Sequence, residues 1–287
     1  MTDLSKYILS TGAYKDLDQP VLLTSGEIGI YYVNTEKLVQ DDGVWTKFAD
    51  DPEKMIDHAV KLMETKKDFK VVIETLAEEA KKIFSKAKYK KNAISGGQRR
   101  DWLFSGPVAK ILGMEHVSLF KDDPIVNKSD LDGYYIVHVV DLITEGSSIY
   151  QVADGKEKGW VPMLRARKAK IDSLLSVVTR RQGGEEKLKE QGINVTAFVT
   201  INEDFVRKYS KYPDRAVAYM RDPRKWSTEF LKQNGALMFV DYFDPSKSNV
   251  KRAQNFLWRY GEILKQLGKY DELVKEIDRK YKTNKLG

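Results

Sequence analysis

The sequence predicts an α/β protein built on a mainly parallel sheet flanked by helices, and three observations carry that reading. Short apolar runs, NAIS (92–95), HVSLF (116–120), YYIVHVV (134–140), SLLSVVT (173–179) and NVTAFVT (194–200), recur along the middle of the chain. Between them lie helix-like stretches at about 101–112, 147–157 and 184–191, the alternation expected of strand–helix–strand units. Four of the runs are followed by polar segments, SGGQRRD (95–101), KDDPIVNKSD (121–130), DLITEGSS (141–148) and RRQGGEE (180–186). In parallel sheets ligands bind beyond the carboxyl ends of the strands, so function is sought in those segments.

Ahead of the sheet, residues 51–86 read as two helices. Asp51 and Pro52 give a cap and a first-turn proline, after which Met55, Ile56, Ala59, Val60 and Met63 keep helical spacing. Val71, Val72, Leu76, Ala80 and Ile83 repeat the pattern in the second helix. Beyond the sheet, YPDRAVAYMRDPRKW (212–226) reads as loop with two prolines, and ALMFVDYF (236–243) as a strand or buried segment. Residues 249–283 read as two helices broken near Gly268, the first with an apolar stripe of Phe256, Leu257, Tyr260, Ile263 and Leu264.

Composition narrows the chemistry. The 287 residues, 41% of them apolar, suffice for a sizeable core. No apolar run reaches the roughly 18 residues of a membrane span, and MTDLSKYILS lacks the pattern of a signal peptide, so a cytoplasmic protein with no membrane partner is expected. The chain has no cysteine, which excludes disulfides, thiolate catalysis and cysteine-held metals. Its three histidines, His58, His116 and His138, show no metal-ligand spacing. The net charge of +7 suits a polyanionic ligand, while the mixing of lysine with glutamate along the chain makes nucleic acid an unexpected partner.

DLITEGSS holds the densest chemistry. A buried strand would deliver Asp141 to its carboxyl end, and the turn from Thr144 to Ser148 offers hydroxyls and backbone N–H groups suited to a phosphate. A carboxylate beside such a cradle can accept hydrogen bonds from sugar hydroxyls, so the pair suits a ribose phosphate. An ordinary strand-to-helix turn with a serine cap would look much the same.

This segment resembles the phosphoribosyl-pyrophosphate (PRPP) signature of type I phosphoribosyltransferases. Val137, His138 and Val139 match the strand, Asp141 the second of two acids, and Leu142, Ile143, Thr144, Gly146 and Ser148 the apolar pair and small-residue loop after it. Val140 stands where the first acid is usual, and Glu145 where a small neutral residue is. Three more segments are similar to the orotate phosphoribosyltransferase branch in the same chain order: PVLLTSGEIGIYYVNTEKL (20–38), AISGGQRRDWLFSGPVAKILG (93–113) and SVVTRRQGGEEKLKEQGINVTAFVTINE (176–203). The resemblance covers about residues 5–207.

The resemblance implies a phosphoribosyltransferase domain over 1–210, with an N-terminal substrate-side segment, and a mostly helical extension over 211–287. It implies that Thr144, Glu145, Gly146, Ser147 and Ser148 hold the 5-phosphate, Asp141 the ribose hydroxyls, and Arg99 and Arg100 the pyrophosphate. Arg180 would meet the carboxylate of orotate, with Thr24, Tyr31 and Tyr32 on the substrate side. Lys121 and Lys128, in the short acidic segment 121–133, are the candidate cations of the family's mobile loop. Mg²⁺ carried by PRPP and a homodimer with shared active sites are further implications. Three functions are open: transfer to orotate in pyrimidine nucleotide synthesis, transfer to another base, or PRPP binding by a catalytically weak regulator. The basic insertion 155–172, with Trp160, would contact nucleic acid or a neighbouring subunit, or cap the sheet.

Overall fold

A computed structural model describes residues 3–23, 25–121, 130–247 and 250–282, with the backbone alone of Trp45. In chain order, α1 (Ser5–Ser10) leads to a hairpin of β1 (Tyr14–Leu22) and β2 (Ile28–Val33), a 3-10 turn over Thr35–Val39, the single turn α2 (Val44–Lys47), and the long helices α3 (Pro52–Thr65) and α4 (Lys67–Ala87). Next come β3 (Lys91–Gly97), α5 (Trp102–Leu112), β4 (Glu115–Leu119), β5 (Tyr134–Ile143), a small hairpin of β6 (Gln151–Ala153) and β7 (Lys156–Lys158), α6 (Trp160–Ala166), β8 (Lys170–Thr179), α7 (Gly184–Glu190) and β9 (Asn194–Thr200). The rest is helical: α8 (Glu203–Tyr209), α9 (Pro213–Arg221), α10 (Pro223–Asn234), a 3-10 segment over Leu237–Phe243, α11 (Val250–Gln266) and α12 (Tyr270–Tyr281).

The five predicted strands pair in the order β4-β3-β5-β8-β9, every pair parallel. Their near-continuous apolar character is what a sheet covered on both faces requires. Between β3 and β5 the direction of strand addition reverses: β4 lies on one side of β3, and β5, β8 and β9 extend from the other. Such a reversal opens a crevice at the carboxyl ends of the two strands, the place where ligands bind in open α/β sheets. Both helices ahead of the sheet form as expected. Asp51 caps α3 by accepting the Lys54 N–H at 3.0 Å, and Met55, Ile56 and Ala59 are buried.

Two sequence expectations are overturned locally. No helix covers 147–157: residues 151–158 form the β6–β7 hairpin, because Asp154 and Gly155 take left-handed φ values of 54° and 70° and close a two-residue turn. That Asp-Gly pair is the signal a helical reading passes over. The stretch 212–226 is not loop, since Pro213 and Pro223 each open a helix at a first-turn position where the missing N–H costs nothing, and Asp222 accepts the Lys225 N–H at 2.8 Å. Of the two readings of 236–243, strand or buried segment, the second holds: it is 3-10 helix with Phe239, Val240 and Phe243 buried.

The chain divides into two compact units, Met1–Tyr14 with Val33–Asn202, and Lys15–Tyr32 with Glu203–Gly287. The first contains the sheet, and its core gathers Ile136, Val140, Ile143, Leu174 and Leu188 with Trp160, Val161 and Leu164 of α6. The basic insertion thus caps the sheet with an apolar face. The second unit has its own core of Leu22, Ile28, Phe239, Phe256, Leu264, Leu273 and Ile277. Its hairpin joins the C-terminal helices for identifiable reasons. Asp16 accepts the Ser210 hydroxyl at 2.8 Å, and Asp18 accepts the Tyr212 hydroxyl at 2.6 Å. Gly26 sits against the backbone of Asn255 and Phe256, where an added Cβ would come within 2.4 Å. The hairpin therefore groups with residues from Glu203 onward, a partition that the division at 210/211 does not anticipate. No described helix is long and apolar enough to cross a membrane.

Candidate active site

At the crevice between β3 and β5 lies a cavity of about 350 Å³, contained within the first unit. Arg99, Arg100, Lys121, Asp141, Thr144 and Ser148 all line it. Six of the residues singled out from sequence are thus brought to one place from three strand ends. Glu145, Gly146 and Ser147 belong to the same turn without lining the cavity. Glu145 is exposed, and its backbone carbonyl accepts the Lys187 ammonium at 2.7 Å.

The loop after β3 is fixed from beneath. Asp101 is buried, 8% exposed, and its two oxygens accept N–H groups from both walls of the crevice: Gly97 at 3.1 Å and Asp141 at 2.9 Å. Burial, followed by the charge of neighbouring Asp141, pushes the Asp101 carboxyl well above the ordinary carboxylate range. Trp102 donates its indole N–H to the Gly96 carbonyl at 2.9 Å. Gly97 must be glycine because Trp160 lies against it; an added Cβ would fall 2.3 Å from the indole. The peptide bond between Gln98 and Arg99 is cis. Gln98 ties this loop to two others, donating to Asp50 at 3.1 Å and accepting the Lys121 N–H at 3.0 Å. Arg99 lies 3.7 Å from Asp50.

The loop after β5 is a tight turn. The Gly146 carbonyl accepts N–H groups from both Ile149 and Tyr150 at 2.9 Å, one turn of helix that stops there because the chain enters the β6–β7 hairpin. Gly146 has a φ of 70°, which favours glycine. Thr144 accepts the Gly184 N–H through its carbonyl at 3.1 Å, and Gly184 packs so closely that a Cβ would lie 2.5 Å from that oxygen. Asp141 itself is oriented by Thr35, whose hydroxyl donates to its carboxylate at 2.5 Å.

The other predicted residues fall elsewhere. Arg180 does not line the cavity; its backbone N–H donates to the Ile143 carbonyl at 3.0 Å. Tyr31 and Tyr32 lie on β2, in the second unit, where Tyr31 is buried edge-on to Tyr219 at 5.9 Å and Tyr32 is 43% exposed. Thr24 and Lys128 lie outside the described residues. Sequence reading missed Asp101, Thr35 and Trp160 as parts of the site. Asp101 comes directly after the Arg pair, so a carboxylate at a strand-to-helix junction was a usable signal. Thr35, 106 residues before Asp141, offered none.

Among the described residues no three acids or histidines cluster as a metal site. Asp101 has both oxygens engaged by N–H groups and its carboxyl raised, so Asp141 is the carboxylate lining the cavity that could face an ion. That fits Mg²⁺, which takes one or two carboxylates and completes its shell with water and substrate phosphate.

No family model and no curated protein sequence matches this chain. Solved structures do. The chain is similar to UMP synthase of Leishmania donovani at 15% identity and a TM-score of 0.50, over 76% of this chain and 41% of that one, so it spans well under half of that relative's length. Orotate phosphoribosyltransferase of Aeropyrum pernix aligns at 20% identity and a TM-score of 0.43, over 71% of this chain and 98% of that one. Adenine phosphoribosyltransferase of Trypanosoma brucei aligns at 11% and 0.46, over 69% and 80%. With its parallel sheet, flanking helices and C-terminal helical unit, this chain has the type I phosphoribosyltransferase fold.

Proposed function

We propose that this protein transfers a phosphoribosyl group from PRPP to orotate, giving orotidine 5′-monophosphate and pyrophosphate. One observation carries the reading: a single cavity at the reversal of strand order gathers two acids, two hydroxyls and three cations. Thr144 and Ser148, with the amides of their turn, suit the 5-phosphate. Asp141, held by Thr35, suits the ribose hydroxyls. Arg99, Arg100 and Lys121 suit the pyrophosphate. In the reaction the bond from C1 to pyrophosphate breaks, the bond from C1 to the base nitrogen forms, and that nitrogen's proton passes to solvent. Negative charge accumulates on the departing pyrophosphate, where fixed cations lower the barrier most. Mg²⁺ bound with PRPP would neutralise part of that charge.

Transfer as such rests on the cavity, and orotate rests on the resemblance of the N-terminal segment and of the Arg180 turn. Release of pyrophosphate from PRPP with Mg²⁺, measured with orotate, uracil, hypoxanthine and adenine in parallel, tests both. Turnover with orotate alone is expected. Turnover with another base overturns the acceptor, and turnover with none overturns catalysis. The homodimer belongs to the same proposal and is checked by sedimentation.

The turn after β5 favours a second reading, a PRPP-binding regulator. With no helix after Ser148, a phosphate there would be held by turn amides and hydroxyls without a helix dipole behind them. PRPP binding without turnover would support it.

A further inference from the structure

We propose that the amino-terminal edge of the parallel sheet, at the far end of the strands from the cavity, binds single-stranded nucleic acid. Two stretches distant in sequence meet there. The end of α4 and the start of β3 read KAKYKK (86–91), and the approach to β8 reads RKAK (167–170). Register sets Lys91 opposite Tyr134, and Tyr135 opposite Lys170. Lys86, Lys88, Lys90, Lys91, Lys168 and Lys170 are all exposed. Among the described residues Lys170 is the one of these with a carboxylate in range, Asp172 at 3.9 Å. Asp172 is itself engaged, accepting the Tyr135 hydroxyl at 2.5 Å and the Ser173 hydroxyl at 2.9 Å. Glu115, Asp130 and Asp132, acids near the starts of β4 and β5, are outnumbered by these lysines. Lysine and glutamate interleave along the sequence, but folding separates them here.

The edge also carries a fixed aromatic ring. Tyr89 is 41% exposed and stacks flat on Tyr135, with centroids 4.9 Å apart and planes 13° apart. Tyr135 is buried and braced edge-on by Phe84 at 6.0 Å. Tyr89 therefore has one face held by the core and surface left for a ligand, beside a hollow of about 300 Å³ that it lines with Lys86. Lysines that track a phosphate backbone, together with an exposed ring on which a base stacks, are the elements of sequence-tolerant single-strand binding. A duplex hides its base faces, and a membrane surface or inorganic polyphosphate would use the lysines and leave the ring idle.

The test is fluorescence anisotropy of the full-length protein with labelled oligouridylate and oligothymidylate of about ten nucleotides, starting near 50 mM salt. Binding is expected to weaken as salt rises, and K88A/K90A should reduce the log–log salt slope by about 1.4, roughly 0.7 for each phosphate no longer neutralised. Y89L should weaken binding about tenfold without changing the slope, while Y89F binds as the wild type does. Thermal melting of each variant confirms that it folds. The proposal is overturned if no binding occurs near 50 mM salt, or if Y89L binds as tightly as the wild type. Equal affinity of the wild type for duplex, polyphosphate or phosphatidylserine vesicles would overturn it too.

Discussion

Two of the loops that face the cavity, those after β3 and β5, are held in opposite ways. After β3, Gly97–Asp101 rests on buried chemistry, with Asp101 bonded to both strand ends and Trp160 packed on Gly97. After β5, Thr144–Ser148 is held from the side by the neighbouring turn, through Gly184 and Lys187, and Glu145, Ser147 and Ser148 are exposed. Arg99 and Arg100 thus stand on a loop whose geometry the core dictates, and the hydroxyls of Thr144 and Ser148 on one held from its side. Positioning of charge is the part of the proposed chemistry that tolerates error least, because a barrier lowered by electrostatics depends on donors already in place.

The largest effect expected from breaking this contrast is at Asp101. D101A strands the Gly97 and Asp141 N–H groups and should cost about 3 kcal/mol in urea denaturation, at roughly 1–3 kcal/mol for each buried donor left without an acceptor. D101N, which keeps one acceptor, should lose about half as much. Next is G97A, whose Cβ would enter the Trp160 indole; about 2 kcal/mol is expected, with weakened PRPP binding, because buried overpacking displaces the loop.

The strands beneath the loops give a pH test. His138 on β5 bonds Ser95 of β3 at 2.8 Å, and burial holds its imidazole, like that of His116, down at about 3. The unfolded chain takes up these protons near pH 6.5. Stability is therefore full above about 6.5 and falls as pH drops toward 3, by about 1.4 kcal/mol per pH unit for each histidine. Asp101 acts in the other direction: its raised value favours the folded state at low pH and costs stability as pH rises above 3.8. Two histidines outweigh one acid, so denaturation midpoints should decline on acidification, and H138N should remove one histidine's share of the slope. The smallest effect belongs to the loop after β5. E145Q should change stability by less than about 0.5 kcal/mol, and should raise PRPP affinity no more than about fivefold, the worth of one exposed like charge near a phosphate.

The sheet was legible because its strands are buried on both faces and so read as apolar runs whatever surrounds them. Its carboxyl-end loops were found by the same rule, and Arg99, Arg100, Asp141, Thr144 and Ser148 do converge. The hairpin at 151–158 was missed because one turn of helix after Gly146 shares its local signals, and only Asp154-Gly155 betrays the reversal. The helices at 213–234 were missed because proline marks both a loop and a helix start. The grouping of residues 15–32 with the C-terminal helices, and the grip of Thr35 on Asp141, depend on contacts between segments far apart in sequence, which periodicity does not encode.

Calorimetric titration of the wild type and of D141N with PRPP and Mg²⁺ tests most directly whether this cavity is a ribose-phosphate site. The wild type should bind, and D141N should bind at least about tenfold more weakly, the worth of a charge-assisted hydrogen bond to a sugar hydroxyl. Equal binding by the two proteins, or none by the wild type, would contradict it.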